Sequence, residues 1–186
     1  MESKKGEAVA TTWKLDPAHT LVEFSAKHMM ITAVKGRFRE VEGTLEVDEE
    51  NPDASSVRVE IEVASLDTGV EDRDNHLRSS DFLDAENHPK LTFRNTEVRG
   101  ALAEAGDDFR VIGDLTIRGV TKRVELDCVY HGKGPDPWGG ERVSFSATTK
   151  IDRRTYGVDW NQALGADRIL VGNEVTINVE AQAVAQ

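Results

Sequence analysis

Regular alternation of apolar and polar residues is the feature of this sequence that most restricts its fold. In the clearest segment, Val57, Val59, Ile61 and Val63 are separated by single charged residues. This spacing places every apolar side chain on one face of a strand, whereas on a helix the same residues would point in all directions. The segment therefore predicts a half-buried β-strand.

The same alternation recurs along the chain and predicts eight strands. They lie near residues 20–28, 37–48, 56–66, 90–99, 108–118, 121–131, 142–152 and 173–183. Several links are short and carry turn residues, as at Arg118-Gly119, which favours antiparallel neighbours. Eight such strands form a sandwich or a closed barrel. A barrel leaves no exposed edge and has room inside for one small ligand, so we expect an all-β, eight-stranded antiparallel barrel.

Two segments outside these strands predict short helices. Residues 29–35 form a short and mostly apolar link. The second helix is better defined, because Thr68 and Glu71 have the spacing of a capping box. Asp74 and Arg78 have the i,i+4 spacing of a stabilising pair on a helix face. The sequence therefore predicts a short helix that ends near Arg78.

The amino terminus predicts a tail before a single domain. Residues 1–10 are polar and are expected to be disordered, and residues 11–186 are expected to form one barrel domain. The tail has no apolar stretch of the kind a secretory signal needs, and no segment is long enough to span a membrane. We expect a cytoplasmic protein without stable membrane insertion, or a periplasmic one if a signal has been removed.

Charge and cysteine content exclude several classes of partner. The net charge is −11, which repels nucleic-acid backbones and anionic membrane surfaces, so nucleic acid is not an expected partner. Cys128 is the single cysteine, so no disulfide can form within the chain. It lies in the middle of a predicted strand, which indicates a buried, inert thiol rather than a nucleophile.

No sequence motif indicates a cofactor or a metal ion. The five histidines do not occur as HxH or HExxH pairs, so we expect no metal site. The motifs of serine hydrolases, P-loop enzymes and dinucleotide-binding enzymes are also missing. One rival hypothesis is an enzyme that modifies a lipid or a small acid through Arg73, Asp74 and His76 on the predicted helix. Without a nucleophile motif, a charged surface helix is the favoured interpretation.

The apolar content of the predicted inner faces favours an open interior. These faces are rich in aliphatic residues and glycine, and aromatic residues make up only 6% of the chain. Aromatic side chains fill barrel interiors efficiently, so their scarcity favours a lumen left free for a ligand. A core filled by aliphatic side chains stays open as an alternative, and would suit a stress-response interaction protein.

An ordered series of short motifs resembles the YceI family of lipocalin-like, polyisoprenoid-binding proteins. The series covers about residues 12–184 and begins with Trp13-Lys14-Leu15-Asp16-Pro17-Ala18-His19. It continues with Phe24, His28, Gly36-Arg37-Phe38, Gly43, Ser65, Thr68, Arg73-Asp74-Asn75-His76-Leu77, Asp81-Phe82, Pro89, Phe93, Gly113 to Thr121, Arg153, Tyr156-Gly157 and Val171-Gly172.

The resemblance implies a lipocalin-like barrel with a short helix near one end. It also implies an apolar pore that holds a prenyl chain or a similar amphiphile, with no other cofactor. The expected function is binding of a long-chain isoprenoid or related lipid for storage, transport or sequestration, without catalysis. A homodimer would have to form through a barrel face or a helix, since a closed barrel exposes no edge.

Inward-facing strand positions supply the predicted binding site. We expect eleven strand residues to line the pore: Val22, Phe24, Leu45, Val59, Ile61, Phe93, Val111, Leu115, Leu126, Phe145 and Ile151. Trp160 and Leu164 are expected to join them from the irregular segment before the last strand. A polar head group such as a quinone, phosphate or amide would lie at the barrel mouth beside His28, Arg73 and His76.

Overall fold

The main sheet closes on itself in the computed structural model, which describes residues 10–186. Its strands are β1 (Thr11–Leu15), β2 (Leu21–His28), β3 (Thr32–Phe38), β4 (Val41–Val47), β5 (Ser56–Glu62), β6 (Leu66–Asp67), β7 (Lys90–Gly100), β8 (Asp108–Ile117), β9 (Val120–Pro135), β10 (Glu141–Asp152) and β13 (Val171–Ala185). A separate small hairpin contains β11 (Ala163–Gly165) and β12 (Arg168–Ile169), and α1 spans Glu71–Arg78.

Eight strands form the closed antiparallel ring, in the order β1, β4, β5, β7, β8, β9, β10 and β13. The pairing of β13 with β1, through Trp13 and Ala185, completes the circle. The expected eight-stranded barrel with one short helix is therefore confirmed. The predicted tail, residues 1–10, lies outside the described residues except for Ala10.

The two ends of the barrel are built differently. We call the end at β1 the closed end, because β1 pairs there with both β4 and β13. At the other end, the helix end, β13 pairs with β2, β2 with β3, and β3 with β6. The sheet stops at β6, which does not pair with β7. Helix α1 packs against β6 at this edge.

Four side chains with almost no exposure mark where the core is fully packed. Trp13 lies at the closed end, whereas Val63, Leu66 and Tyr156 lie at the helix end. Well-packed apolar layers therefore occur toward both ends of the barrel. The walls between them are lined by apolar side chains, many of which are only half-buried.

Residues 29–35 do not form the predicted helical link. They make the turn of a hairpin and the start of β3, with His28 paired to Thr32. Met29 and Met30 have φ values of 53° and 61°, in the left-handed region that reverses the chain between two strands. The prediction was wrong because the short apolar run is compatible with both states, and pairing with β2 decides between them.

The predicted helix forms over a shorter range and without its predicted cap. Val70 occupies the N-cap position and makes no capping side-chain bond. Thr68 instead donates its backbone N–H to the carboxylate of Asp74 over 2.9 Å. Arg78 donates to the carbonyl of Ala64 over 3.1 Å rather than pairing with Asp74. Both interactions arise because α1 is docked on the β5–β6 segment instead of lying free on the surface.

Asp16 connects the first turn of the chain to the barrel wall. Its carboxylate accepts from the backbone N–H of Ala18 over 3.0 Å and from Nδ1 of His19 over 2.8 Å. The guanidinium of Arg142 also donates to it, and this hydrogen bond is the main reason why the pKa of Asp16 falls to about 2. The ionised form is thus favoured by folding.

We expect Asp16 to make the stability of the barrel dependent on acid pH. The folded-state pKa lies below the unfolded value, so its contribution of about 2 kcal/mol is present above pH ~4 and lost as pH falls toward 2. Urea unfolding should therefore show a destabilised Asp16→Asn variant at neutral pH and a shrinking difference in acid. The exposed Asp167→Asn is the control. A pH-independent deficit at position 16 would contradict the assignment.

Candidate functional site

A long cavity of about 310 Å³ runs through the barrel. Its wall exposes only apolar atoms to the interior. All eleven strand residues predicted to line the pore are part of this wall. The predicted residues coincide with the wall because every second side chain of a barrel strand points inward. That they contact a ligand stays a prediction.

The cavity is elongated along the barrel. On β13 its wall runs from Val171 at the helix end to Ala181 toward the closed end. Ten residue steps on a strand tilted by 35–45° correspond to roughly 25 Å along the barrel axis. This shape suits an extended chain better than a compact molecule.

In the middle of the cavity, side chains line the wall but do not fill the space between them. Phe24, Phe93, Leu115 and Phe145 point inward but are only half-buried, because they border open space. A filled aliphatic core would bury such residues almost completely. The arrangement therefore favours the open lumen over the filled core.

Several wall residues were not predicted. Leu15 comes from β1, a strand that the sequence patterns missed, and Phe82 comes from the segment after α1. Alternation extended to Leu15 would have identified the first of these. Arg153 and Tyr156 also belong to the wall, from the 3₁₀ turn after β10. No apolar pattern points to a buried arginine, so this part of the wall was not accessible to sequence reasoning.

Trp160 and Leu164 do not line the cavity, contrary to expectation. The ring of Trp160 packs against His76, with centroids 4.7 Å apart, and against Phe82 at 5.3 Å. Leu164 lies on β11, in the small hairpin that is not part of the barrel sheet. Because this hairpin is separate from the barrel sheet, Leu164 lies outside the cavity wall.

The predicted head-group residues also lie outside the cavity wall. His28 is exposed at the end of β2, beyond the last inward-facing position of that strand. Arg73 donates to the hydroxyl of Thr68 over 2.8 Å and to its carbonyl over 3.1 Å. His76 lies 2.9 Å from a carboxylate oxygen of Asp81. Local partners hold Arg73 and His76 outside the wall, and His28 lies past the end of it. That these residues contact a head group stays a prediction.

The geometry of Arg73, Asp74 and His76 does not bring three reactive groups together. Asp74 is buried and accepts from Thr68, which is also the partner of Arg73. His76 interacts with Asp81 instead. These hydrogen bonds therefore hold the segment from Thr68 to Asp81 together, and Arg78 attaches it to the carbonyl of Ala64.

Cys128 is buried in the cavity wall, and burial raises the pKa of its thiol to about 12. It stays protonated at neutral pH and is a poor nucleophile. Among residues 10–186, no three side chains of the metal-ligating types come together. Within the same range, no helix has the length and apolar character needed to cross a bilayer.

Comparison with known proteins places the whole barrel in one family. Residues 13–183 match the family described as YceI-like domain. Protein YceI of Escherichia coli O17:K52:H18 is 41% identical over 155 residues, which are 82% of this chain and 79% of that protein.

Solved structures share the fold. The crystal structure of Campylobacter jejuni YceI superposes with a TM-score of 0.71 at 28% identity, covering 86% of this chain and 90% of the other. A polyisoprenoid-binding domain from Saccharophagus degradans, implicated in plant cell wall breakdown, has a TM-score of 0.67 at 14% identity and covers 95% of this chain and 99% of the other. Together, the sequence match and the barrel show that this chain belongs to the YceI-like domain family.

Proposed function

We propose that this protein binds a long-chain isoprenoid or a similar amphiphilic lipid in its cavity, and so stores, transports or sequesters it. The observation that carries the proposal is the elongated cavity with a wholly apolar wall. Such a space is unfavourable for water and favourable for a hydrocarbon chain. The barrel and the family both favour a binding protein over an enzyme.

The choice of ligand class rests on shape and on likeness of fold. An isoprenoid chain is long, narrow and apolar, as is the cavity. The Saccharophagus degradans domain with the same fold is described as polyisoprenoid-binding. We extend that ligand class to this chain as part of the proposal.

Burial of the chain supplies the affinity. Each methylene group transferred from water contributes about 0.8 kcal/mol, so a long tail approaches the practical limit of non-covalent binding of roughly −18 to −21 kcal/mol before ordering costs. A ligand bound this tightly dissociates slowly and should remain with the protein during purification.

Mass spectrometry of an organic extract tests the proposal. We expect freshly purified, folded protein to release an isoprenoid or a related amphiphile in near-stoichiometric amount. A folded protein that releases no lipid, and that takes none up from isoprenoid added in detergent, would overturn it. The proposal includes a cytoplasmic location, which fractionation of the native cells would test.

A further inference from the structure

Three consecutive apolar side chains are exposed where β2 turns into β3. Met29, Met30 and Ile31 are 38%, 52% and 67% exposed, and every residue from 27 to 33 is classed with them as exposed. We call these three residues the apolar tip. Single exposed apolar residues are common on soluble proteins, whereas a contiguous group of them is typical of an interaction surface.

Neither the turn nor the core requires these side chains. Met29 and Met30 have left-handed φ values of 53° and 61°, a conformation for which hairpin turns favour Asn and Gly. None of the three residues of the apolar tip belongs to the apolar core or to the cavity wall. Two methionines therefore occupy strained backbone positions without a gain in packing. Strain of this kind is expected where side chains serve binding.

The hairpin is basic, although the chain as a whole is acidic. The stretch from Phe24 to Arg39 contains no Asp or Glu and is the longest such stretch in the sequence. Its two arginines pair with Asp67, away from the apolar tip. Lys27 and Lys35 lie on opposite strands of the hairpin, are exposed, and form no ion pair within residues 10–186. The acidic first turn of α1 follows β6, which pairs with the end of β3 farthest from the tip.

The apolar tip lies beside the helix end of the cavity. His28, the residue before it, pairs with Val171, which belongs to the cavity wall. The N–H of Met29 donates to the carbonyl of Leu170 over 2.8 Å and so attaches the tip to the segment between β12 and β13. The β11–β12 hairpin, which precedes Leu170, holds one acid and one base and adds no net charge.

We propose that the apolar tip and its two lysines dock the protein on an anionic bilayer surface, so that lipid moves between the bilayer and the helix end of the cavity without crossing water. The inference rests on the proposed lipid binding and adds the membrane as the source of the ligand. Met30 and Ile31 insert among the lipid head groups, and Lys27 and Lys35 lie against the phosphates. So few contacts give reversible attachment, which lets the loaded protein leave.

Vesicle sedimentation measures the docking directly. Full-length protein is mixed with vesicles of phosphatidylcholine alone, or of phosphatidylcholine with phosphatidylglycerol. We expect binding to the anionic vesicles to be about tenfold stronger than binding to the neutral ones, and to weaken as salt is added, because salt screens exposed charges. Wild-type protein that does not bind the anionic vesicles would overturn the proposal.

A double substitution removes apolar surface from the tip and keeps the turn. The tip variant carries Met30→Asn and Ile31→Thr. Asn is favoured at a left-handed φ and both positions are exposed, so this variant should melt at least as high as the wild type. We expect its affinity for anionic vesicles to fall about tenfold or more. Trp138→Ser removes a still more exposed apolar residue, from the β9–β10 turn at the closed end, and should bind vesicles as the wild type does.

Lipid transfer tests the link between docking and the cavity. A dansyl-labelled prenyl alcohol is placed in anionic vesicles together with a rhodamine-labelled lipid that quenches it, and its fluorescence rises as it moves to the protein. We expect the tip variant to take up this probe about tenfold more slowly than the wild type. When the probe is added without vesicles, both proteins should bind it equally well, because the cavity wall is unchanged.

The possible results have different meanings. Failure of wild-type protein to bind the probe added without vesicles would overturn the proposed function, whether or not the protein docks. A tip variant that binds vesicles, or takes up the probe from them, as well as the wild type would overturn the docking surface alone. If the tip variant instead dissociates a wild-type dimer in sedimentation velocity and keeps its vesicle binding, the tip contacts a second copy of the chain and the membrane proposal is wrong.

Discussion

Ala147→Trp is expected to exclude lipid from the barrel while leaving it folded. Ala147 lies midway along β10, between Cys128 of β9 and Val179 of β13, and its side chain borders the cavity. An indole ring at this position projects across the narrow lumen. A chain that must run past position 147 would lose its path, so affinity should fall by roughly 100-fold or more.

The stability of Ala147→Trp should be unchanged or higher, because the added ring enters empty space and buries apolar surface. The measurements are the lipid content of an organic extract and the melting temperature. Thr148→Trp adds the same bulk on the exposed outer face of β10 and is the control, which should retain lipid. If Ala147→Trp carried as much lipid as the wild type, the ligand would not occupy the lumen.

Gly113→Ala is expected to have the largest effect on folding. Gly113 lies on β8 and pairs with Asn95 of β7. A methyl group there would lie 2.4 Å from the carbonyl oxygen of Arg94, 2.8 Å from Cα of Asn95 and 2.6 Å from the ring of Phe93. Two of these atoms belong to the backbone and cannot rotate away, so β7 and β8 would have to separate.

We expect Gly113→Ala to reduce the free energy of unfolding by about 2–4 kcal/mol, as measured in urea. Gly134→Ala is the matched control on β9, since a methyl group at that position meets no atom within 4 Å. It should change stability by less than about 0.5 kcal/mol. Equal stability of the two variants would contradict the close approach of the strands at Gly113.

Much of the barrel follows from alternation alone. Between Val57 and Val63, and again between Val124 and Cys128, apolar and polar positions alternate without interruption. One side of each strand faces the lumen and the other faces water, so the sequence carries this information locally. The inward residues of the cavity wall were therefore predictable.

The positions of the polar side chains around the cavity were not predictable from local patterns. Arg153 looks like a surface residue in the sequence, and its burial depends on carbonyl groups that come from β13 and from the segment after Tyr156. Arg73 and His76 looked available for a head group, but their partners Thr68 and Asp81 hold them outside the wall. These outcomes depend on contacts formed only in the folded chain.

Because the sheet ends at β6, the two ends of the barrel are held together by different interactions. At the closed end, hydrogen bonds of a continuous ladder join β13, β1 and β4. Past Val63, whose N–H donates to the carbonyl of Pro89, the ladder ends, and Arg78 attaches α1 to the carbonyls of Ala64 and Leu66 on the β6 side. Widening the barrel at the helix end would break a few side-chain contacts of α1. Widening it at the closed end would break the backbone hydrogen bonds between paired strands. Opening of the protein is thus inherently directional, and we expect it to begin at the helix end.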